Sequence, residues 1–140
     1  MNIKLATLKD CPACVKISEI PELKDVSEEY MTLDYIKEFV DSDEMFFVAE
    51  EDNNIIGYIL GEPMKGNVAF VGLLAVSKDV RGKGVGKALL KAFREKCDEK
   101  GLTYRLLYAP AFNPSTIEFY KKQGFIAGKQ YVCFAEDKEK

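Results

Sequence analysis

Histidine is missing from all 140 residues, and so is tryptophan. Without an imidazole there is no Ser-His-Asp or Cys-His nucleophile, no His-x-x-x-His zinc site, and no acid or base whose ordinary pKa lies near neutrality. Proton transfer in this chain falls to Tyr, Glu, Asp, Lys, Cys or water. No apolar run approaches the roughly 20 residues of a membrane span. The opening Met1-Asn2-Ile3-Lys4 has no signal-peptide core. The expectation is a cytoplasmic protein with no membrane partner. An excess of positive charge is lacking too: 20 Lys and Arg against 23 Asp and Glu leave a net charge of −3. That argues against nucleic acid, because a phosphate backbone demands a basic surface. Cysteine is confined to Cys11, Cys14, Cys97 and Cys133, of which only Cys11-Pro12-Ala13-Cys14 makes a close pair. It reads as reduced structural thiols, with a redox pair or half a zinc site as alternatives. A second ligand pair is missing, so no metal is expected.

What remains is the composition of a globular chain, 47% apolar and 31% charged. Its length suits one domain over residues 1–140, burying about two thirds of its unfolded surface. The most informative stretch runs from Leu73 to Leu90: an apolar run, then Lys78-Asp79-Val80-Arg81-Gly82-Lys83-Gly84-Val85-Gly86-Lys87, then an amphipathic segment. That order predicts strand, loop, helix. Glycines at alternate positions let backbone approach a ligand closely, and the first N–H groups of a helix lack intrahelical partners. With Arg81, Lys83 and Lys87 around the turn, the guest predicted is a phosphate or pyrophosphate. Two common phosphate loops do not fit. A P-loop needs Gly where Arg81 stands and a hydroxyl where Ala88 stands, and a dinucleotide fingerprint needs glycine at Lys87 or Leu89.

The other elements follow in chain order. Ile3, Leu5 and Thr7 alternate as a strand, and Asp10 is expected to cap a helix that Pro21 stops. Glu22, Asp25, Glu28 and Glu29 lie in an irregular acidic loop, either a solvated connection or a lid favouring a cationic amine. Thr32 caps a second helix bearing Leu33, Ile36, Phe39 and Val40. Met45 to Glu50 and Ile55 to Leu60 read as a hairpin turned by Asp52-Asn53-Asn54, with Gly61-Glu62-Pro63 closing it. Val68 to Val76 is apolar almost without interruption, so a strand buried on both faces in the sheet centre is expected. Val85, Leu89, Phe93 and Cys97 make the buried stripe of the following helix, which Gly101 ends. Leu102 to Ala109 is a strand, and Asn113-Pro114 opens a short helix. Phe125 to Ala127 and Tyr131 to Ala135 are expected to close the chain as a hairpin, before a charged tail from Glu136.

Arg-x-x-Gly-x-Gly at Arg81, Gly84 and Gly86, after a hydrophobic strand, resembles the acyl-CoA loop of the GNAT N-acetyltransferases. The run Asn113-Pro114-Ser115-Thr116-Ile117-Glu118-Phe119-Tyr120-Lys121-Lys122-Gln123-Gly124-Phe125 is similar to that family's Asn-x-x-(small)-x-x-(apolar)-Tyr-x-x-x-Gly-Phe segment. The resemblance covers essentially the whole chain. It implies an α/β (α+β) fold with a central, mixed, mostly antiparallel twisted sheet of about seven strands and about four helices. It implies acetyl-CoA as cosubstrate and transfer of acetyl to a primary amine by direct attack on the thioester. Main-chain groups of Leu74, Ala75 and Val76 would pair with the pantetheine arm. Arg81, Gly82, Lys83, Gly84, Val85, Gly86 and Lys87 would hold the pyrophosphate. Asn113 would bond the pantetheine region, and Tyr120 would be the general acid for the thiolate. The strand from Val68 to Val76 holds no carboxylate, and Tyr108 stands where other members carry one, so the resemblance assigns no base: Glu62 is the first candidate, with an acid of the Glu22 to Glu29 loop or transfer through water to bulk as alternatives. The acceptor, a small molecule or a peptide amine, is left open, as is a monomer or homodimer. Other readings are a non-catalytic acyl-CoA-binding module and a thiol-disulfide protein using Cys11 and Cys14.

Overall fold

The computed structural model describes residues 1–139. Its elements are β1 (Asn2–Leu5), α1 (Cys11–Ile17), α2 (Leu33–Lys37), β2 (Phe46–Glu51), β3 (Asn54–Met64), β4 (Val68–Val76), α3 (Val85–Lys100), β5 (Tyr104–Leu107) and α4 (Pro114–Lys122). The strands make one sheet in the order β1-β2-β3-β4-β5. Neighbours are antiparallel from β1 to β4, while β4 and β5 are parallel. Local chemistry sets most boundaries. Thr32 Oγ1 accepts the Tyr35 N–H at 3.2 Å to start α2. Gly101, at φ 70°, ends α3 in the left-handed conformation that glycine adopts at least cost. Asp10 acts one turn earlier than expected. Its carboxylate accepts the Thr7 N–H at 2.9 Å and the Thr7 hydroxyl at 3.0 Å, fixing a 3-10 turn that leads into α1.

Alternation along β2 divides the interior between the two sheet faces. Phe47 and Ala49 join Ile59, Val71, Leu89 and Phe93 beneath α3. Phe46 and Val48 join Tyr58, Leu60, Cys14 and Ile36 beneath α1 and α2. The second layer contains a polar pin: the buried Tyr58 hydroxyl bonds Ser18 Oγ, which donates to the Cys14 carbonyl at 2.8 Å. The α3 layer depends on two glycines. A Cβ at Gly57 would lie 3.1 Å from the Ala75 carbonyl and 3.1 Å from Val85 Cγ1, and one at Gly61 would lie 2.7 Å from the Phe93 ring. Missing side chains thus let α3 settle flush on β3.

Three expectations need correcting. First, β3, not β4, is the sheet centre. β4 is only partly covered because β5 pairs with it from Val68 to Val71 and no further. Second, Gly61, Glu62 and Pro63 do not end the hairpin; β3 continues through them, with Glu62 opposite Phe70, and the chain turns at Gly66 and Asn67. Third, the described chain has five strands, not about seven, because residues 125–139 form none. Ile126 and Phe134 there are 96% and 90% exposed. A two-stranded hairpin is marginal by itself, and the four residues of β5 offer a short edge to extend.

Two stability predictions follow from this packing. Gly61→Ala should cost about 1–3 kcal/mol, the usual range for overpacking, since the Phe93 ring it meets is fully buried; urea unfolding measures it. Alkali should also weaken the fold. Burial, with Cys11 and Asp10 adding to it, pushes the Cys14 thiol up, and burial pushes the Tyr58 phenol up against the opposing Ser18 hydrogen bond. In the unfolded chain these groups ionise near about 8.5 and about 10. Above those values the unfolded state holds fewer protons than the folded one, so the free energy of unfolding falls as pH rises. Unfolding midpoints at pH 7 and pH 10.5 compare the two conditions, and an unchanged midpoint contradicts the account.

Candidate active site

The sheet opens between β4 and β5. Val71 opposite Leu107 is their last pair. On the other side of β4 the register skips one residue: Leu60 faces Leu73 while Gly61 faces Val71, which leaves Gly72 as a bulge. The bulge reverses the strand's phase. Before it Ala69 and Val71 face α3; after it Leu74 and Val76 do, with Leu73 and Ala75 on the α1 and α2 side. From Gly72 to Val76, β4 has a neighbour on the β3 side only.

The direction of the bare main chain can be worked out. The Ser77 N–H donates to the Ile56 carbonyl at 2.8 Å, so it points towards β3. Alternation then turns the polar groups of Ala75 towards β3 and those of Leu74 and Val76 towards the opening. Arg81 Nε donates to the Val76 carbonyl at 3.2 Å, which folds this side chain back over the strand exit. Of the three residues expected to pair with a pantetheine arm, Leu74 keeps both groups available, Val76 keeps its N–H, and Ala75 faces away.

The strand runs directly into the glycine loop. Gly82 and Gly84 have φ values of 80° and 83°, and a Cβ on either would meet nothing within 4 Å. Space is therefore not why glycine sits there; the left-handed backbone is. Gly84 is the N-cap of α3 without a side-chain cap, and the first intrahelical bond is from the Ala88 N–H to its carbonyl at 3.0 Å. The N–H groups of Val85, Gly86 and Lys87 therefore point out of the helix end, with the exposed Arg81, Lys83 and Lys87 around them. Gly86 is different: a Cβ there would lie 3.1 Å from Phe119 Cζ, so it lets α4 close on α3. Donors on a helix end, free space and three cations suit an anion.

Asn113 and Tyr120 sit at the two ends of α4. Asn113 Oδ1 accepts the Thr116 N–H at 3.3 Å and the Ser115 hydroxyl at 2.9 Å, so it caps the helix and offers outward only its amide N–H groups. Tyr120 packs edge-on against Phe119 and Phe125, with centroids 5.2 and 5.8 Å away. Arg94 donates to the Gln123 carbonyl at 2.6 Å and lies 4.7 Å from the Phe125 centroid, pinning that end of α4 to α3. Burial pushes the Tyr120 phenol up to about 12. Among the described residues no fully buried polar side-chain atom lacks a partner, and the Tyr120 hydroxyl has no hydrogen-bond partner among them; it therefore reaches accessible space.

Glu62 stands on the other face. Gly61 faces α3, so Glu62 faces α2, half-buried opposite Phe70. The Tyr35 phenol on α2 is pushed up by burial and then by the charges of Glu62 and Glu38. Tyr120, packed with the α3 layer, and Glu62 thus lie on opposite sides of the opening. In the acidic loop Asp25 Oδ1 accepts the N–H groups of Ser27 at 2.8 Å and Glu29 at 3.0 Å. Cys11 and Cys14 are fully buried free thiols, both pushed up first by burial, hence poor thiolates. No cluster of three or more His, Cys, Asp or Glu side chains suited to a metal occurs among the described residues, nor does any helix long and apolar enough to cross a membrane. Sequence reasoning missed the bulge and the placement of Phe70 and Tyr35 near Glu62; the lone Gly72 inside an apolar strand was the available signal for the bulge.

The chain is similar to known proteins. An uncharacterized N-acetyltransferase of Methanocaldococcus jannaschii is 36% identical over 95 residues, 67% of this chain and 60% of that protein. An N-alpha-acetyltransferase of Sulfurisphaera tokodaii is 31% identical over 141 residues, 89% of this chain and 79% of that one. Streptothricin acetyltransferase A of Bacillus subtilis is 34% identical over 112 residues. The chain spans 60% and 65% of the lengths of the M. jannaschii and B. subtilis relatives. Among solved structures, Ard1 from Thermoplasma volcanium superposes with a TM-score of 0.80 at 29% identity, covering 91% of this chain and 84% of that one. A model of the Acetyltransferase (GNAT) family matches residues 12–125. With that match across most of its length, the chain belongs to the GNAT acetyltransferase family.

Proposed function

We propose that the chain is an acetyl-CoA-dependent N-acetyltransferase that acylates a primary amine by direct attack, and that the opening between β4 and β5 is where this happens. One observation carries the reading: a bare strand edge from Gly72 to Val76 runs straight into an uncapped helix end set with glycines and cations. An extended amide-bearing arm ending in phosphates matches both, the arm adding to the edge like a strand and the phosphates meeting the helix end. Acetyl-CoA supplies the activated acyl group and a thiolate leaving group. The names of relatives range from an N-alpha-acetyltransferase to acetyltransferases of streptothricin and of L-2,4-diaminobutyric acid, which leaves the acceptor class open at this level.

The residues divide the work by face. Leu74 and the Val76 N–H align the arm, while Gly82, Gly84 and the N–H groups of Val85 to Lys87 take the phosphates with Lys83, Lys87 and the outer nitrogens of Arg81. Asn113 offers its amide N–H groups near the start of α4. On the α3 side the Tyr120 hydroxyl, neutral at pH 7 because its pKa is about 12, donates towards the sulfur. On the α2 side Glu62 takes the proton of the incoming ammonium, directly or through water.

Gly84→Val tests the loop. A β-branched residue at φ 83° is strained, yet its Cβ meets no protein atom within 4 Å, so the variant should stay folded while calorimetry finds acetyl-CoA affinity lowered at least tenfold. Unchanged affinity in the folded variant rules the loop out. Tyr120→Phe tests the acid. It keeps the ring packing, so affinity should hold, but turnover should drop by about tenfold or more, the low end of what general acids contribute. In an absorbance titration the variant should also lose one phenol transition near pH 12. Near wild-type turnover, with chemistry limiting, makes Tyr120 a packing residue.

A further inference from the structure

On the α2 face, where the strands part, three side chains come together. Glu62 and Phe70 are directly opposed across β3 and β4. The Phe70 ring meets the Tyr108 ring, with centroids 5.6 Å apart at 62°. Tyr108 directly follows Leu107, the last residue of β5 paired with β4, and Phe70 lies two residues before the bulge at Gly72. The ring pair therefore stands at the vertex of the opening, beside the carboxylate. Neither ring is needed by the core: Phe70 is half-buried and Tyr108 is 76% exposed. On the same face Tyr35 of α2, which feels the charge of Glu62, is 49% exposed and tilted against the Phe39 ring with centroids 5.2 Å apart.

A carboxylate beside an exposed aromatic pair suits one kind of guest. The carboxylate takes an ammonium, and the rings take apolar surface next to it. A slender polyamine has charge at both ends of short methylene spacers and gains little from flat rings beyond a cation–π contact. An amine carried beside a sizeable apolar group uses both features. We propose that Phe70, Tyr108 and Glu62 form the acceptor subsite, and that the preferred acceptor is a peptide N-terminus whose first side chain is apolar. This rests on the acetyltransferase reading above and adds to it the residues that choose the amine. An apolar group in a fitted pocket is worth about 10- to 200-fold in selectivity.

The test uses the full chain with acetyl-CoA and three acceptors: two peptides identical except for methionine or serine at the first position, and spermidine. The wild type should favour the methionine peptide by about tenfold or more in kcat/KM over both others. Tyr108→Ala, at a mostly exposed position, should raise KM for the methionine peptide and bring the two peptides within about threefold, leaving acetyl-CoA affinity unaltered in calorimetry. Phe70→Leu should shrink the preference in the same direction. Spermidine or the serine peptide as the best acceptor overturns the proposal, and so does a methionine preference that survives Tyr108→Ala. These failures are separate from that of the underlying reading, which shows as no acetyl-CoA binding and no transfer to any acceptor, and which removes the subsite with it.

Discussion

The pairing of β4 with β5 stops at Val71 and Leu107, and the proposed site depends on where it stops. A strand inside a sheet normally satisfies both rows of its main-chain groups. Here β4 gives up one row for five residues, from Gly72 to Val76, while β3 still holds the other. The bulge at Gly72 adjoins this stretch and reverses the strand's phase, so that Phe70 is presented to the α2 side while Leu74 and Val76 are packed towards α3. The two faces beside the opening therefore differ in chemistry: aromatic and acidic on one, cationic and amide-rich on the other.

An opening is useful only if its rim is rigid, and the α3 layer provides that. The helix is held against β3 by close approaches at Gly57 and Gly61, and α4 is held against α3 at Gly86. The Arg94 bond to the Gln123 carbonyl at 2.6 Å closes the far end. These contacts fix the first turn of α3 relative to the bare edge of β4, which sets the distance over which one extended ligand would meet both. On the other side the Tyr58 and Ser18 hydroxyls tie α1 to the central strand. Apart from the close approach at Gly86, none of these contacts uses a residue of the proposed site, whose own groups keep free valences: the N–H groups of Val85 to Lys87, the amide of Asn113 and the hydroxyl of Tyr120.

This division explains what the sequence could disclose. The glycine loop, the caps at Thr32 and Asn113, and the helix from Val85 to Gly101 are local features, written in consecutive residues, and reading them needs no tertiary knowledge. Non-local features were harder. An apolar run such as Val68 to Val76 looks the same whether it is central or half uncovered, because hydrophobicity reports what can be buried and not what neighbour arrives to bury it. Glu62 looked like a turn residue because Gly61 and Pro63 flank it; the glycine is in fact there to admit Phe93. The apolar residues of 125–135 resembled a hairpin by pattern alone, and pattern does not supply the edge that a hairpin needs.

The absence of histidine leaves the proposed chemistry with groups whose ordinary pKa values are badly matched to neutrality, and the burial of Tyr120 widens the mismatch. An ordinary thiol ionises near about 8.5, so a phenol at about 12 is the weaker acid by about 3.5 units, or about 5 kcal/mol for complete transfer between isolated groups. Burial raised this phenol, and burial acts on any anion in the same place: a thiolate formed beside it is denied water too and becomes a stronger base. The relevant comparison is between two anions in one environment, and there the gap is smaller than their solution values suggest. Before the proton moves, the neutral hydroxyl is already an oriented donor to the growing charge, and low polarity around it strengthens that hydrogen bond. Tyr120 in this reading works first by stabilising negative charge on sulfur and only then by giving up its proton, which is the order that a high pKa favours.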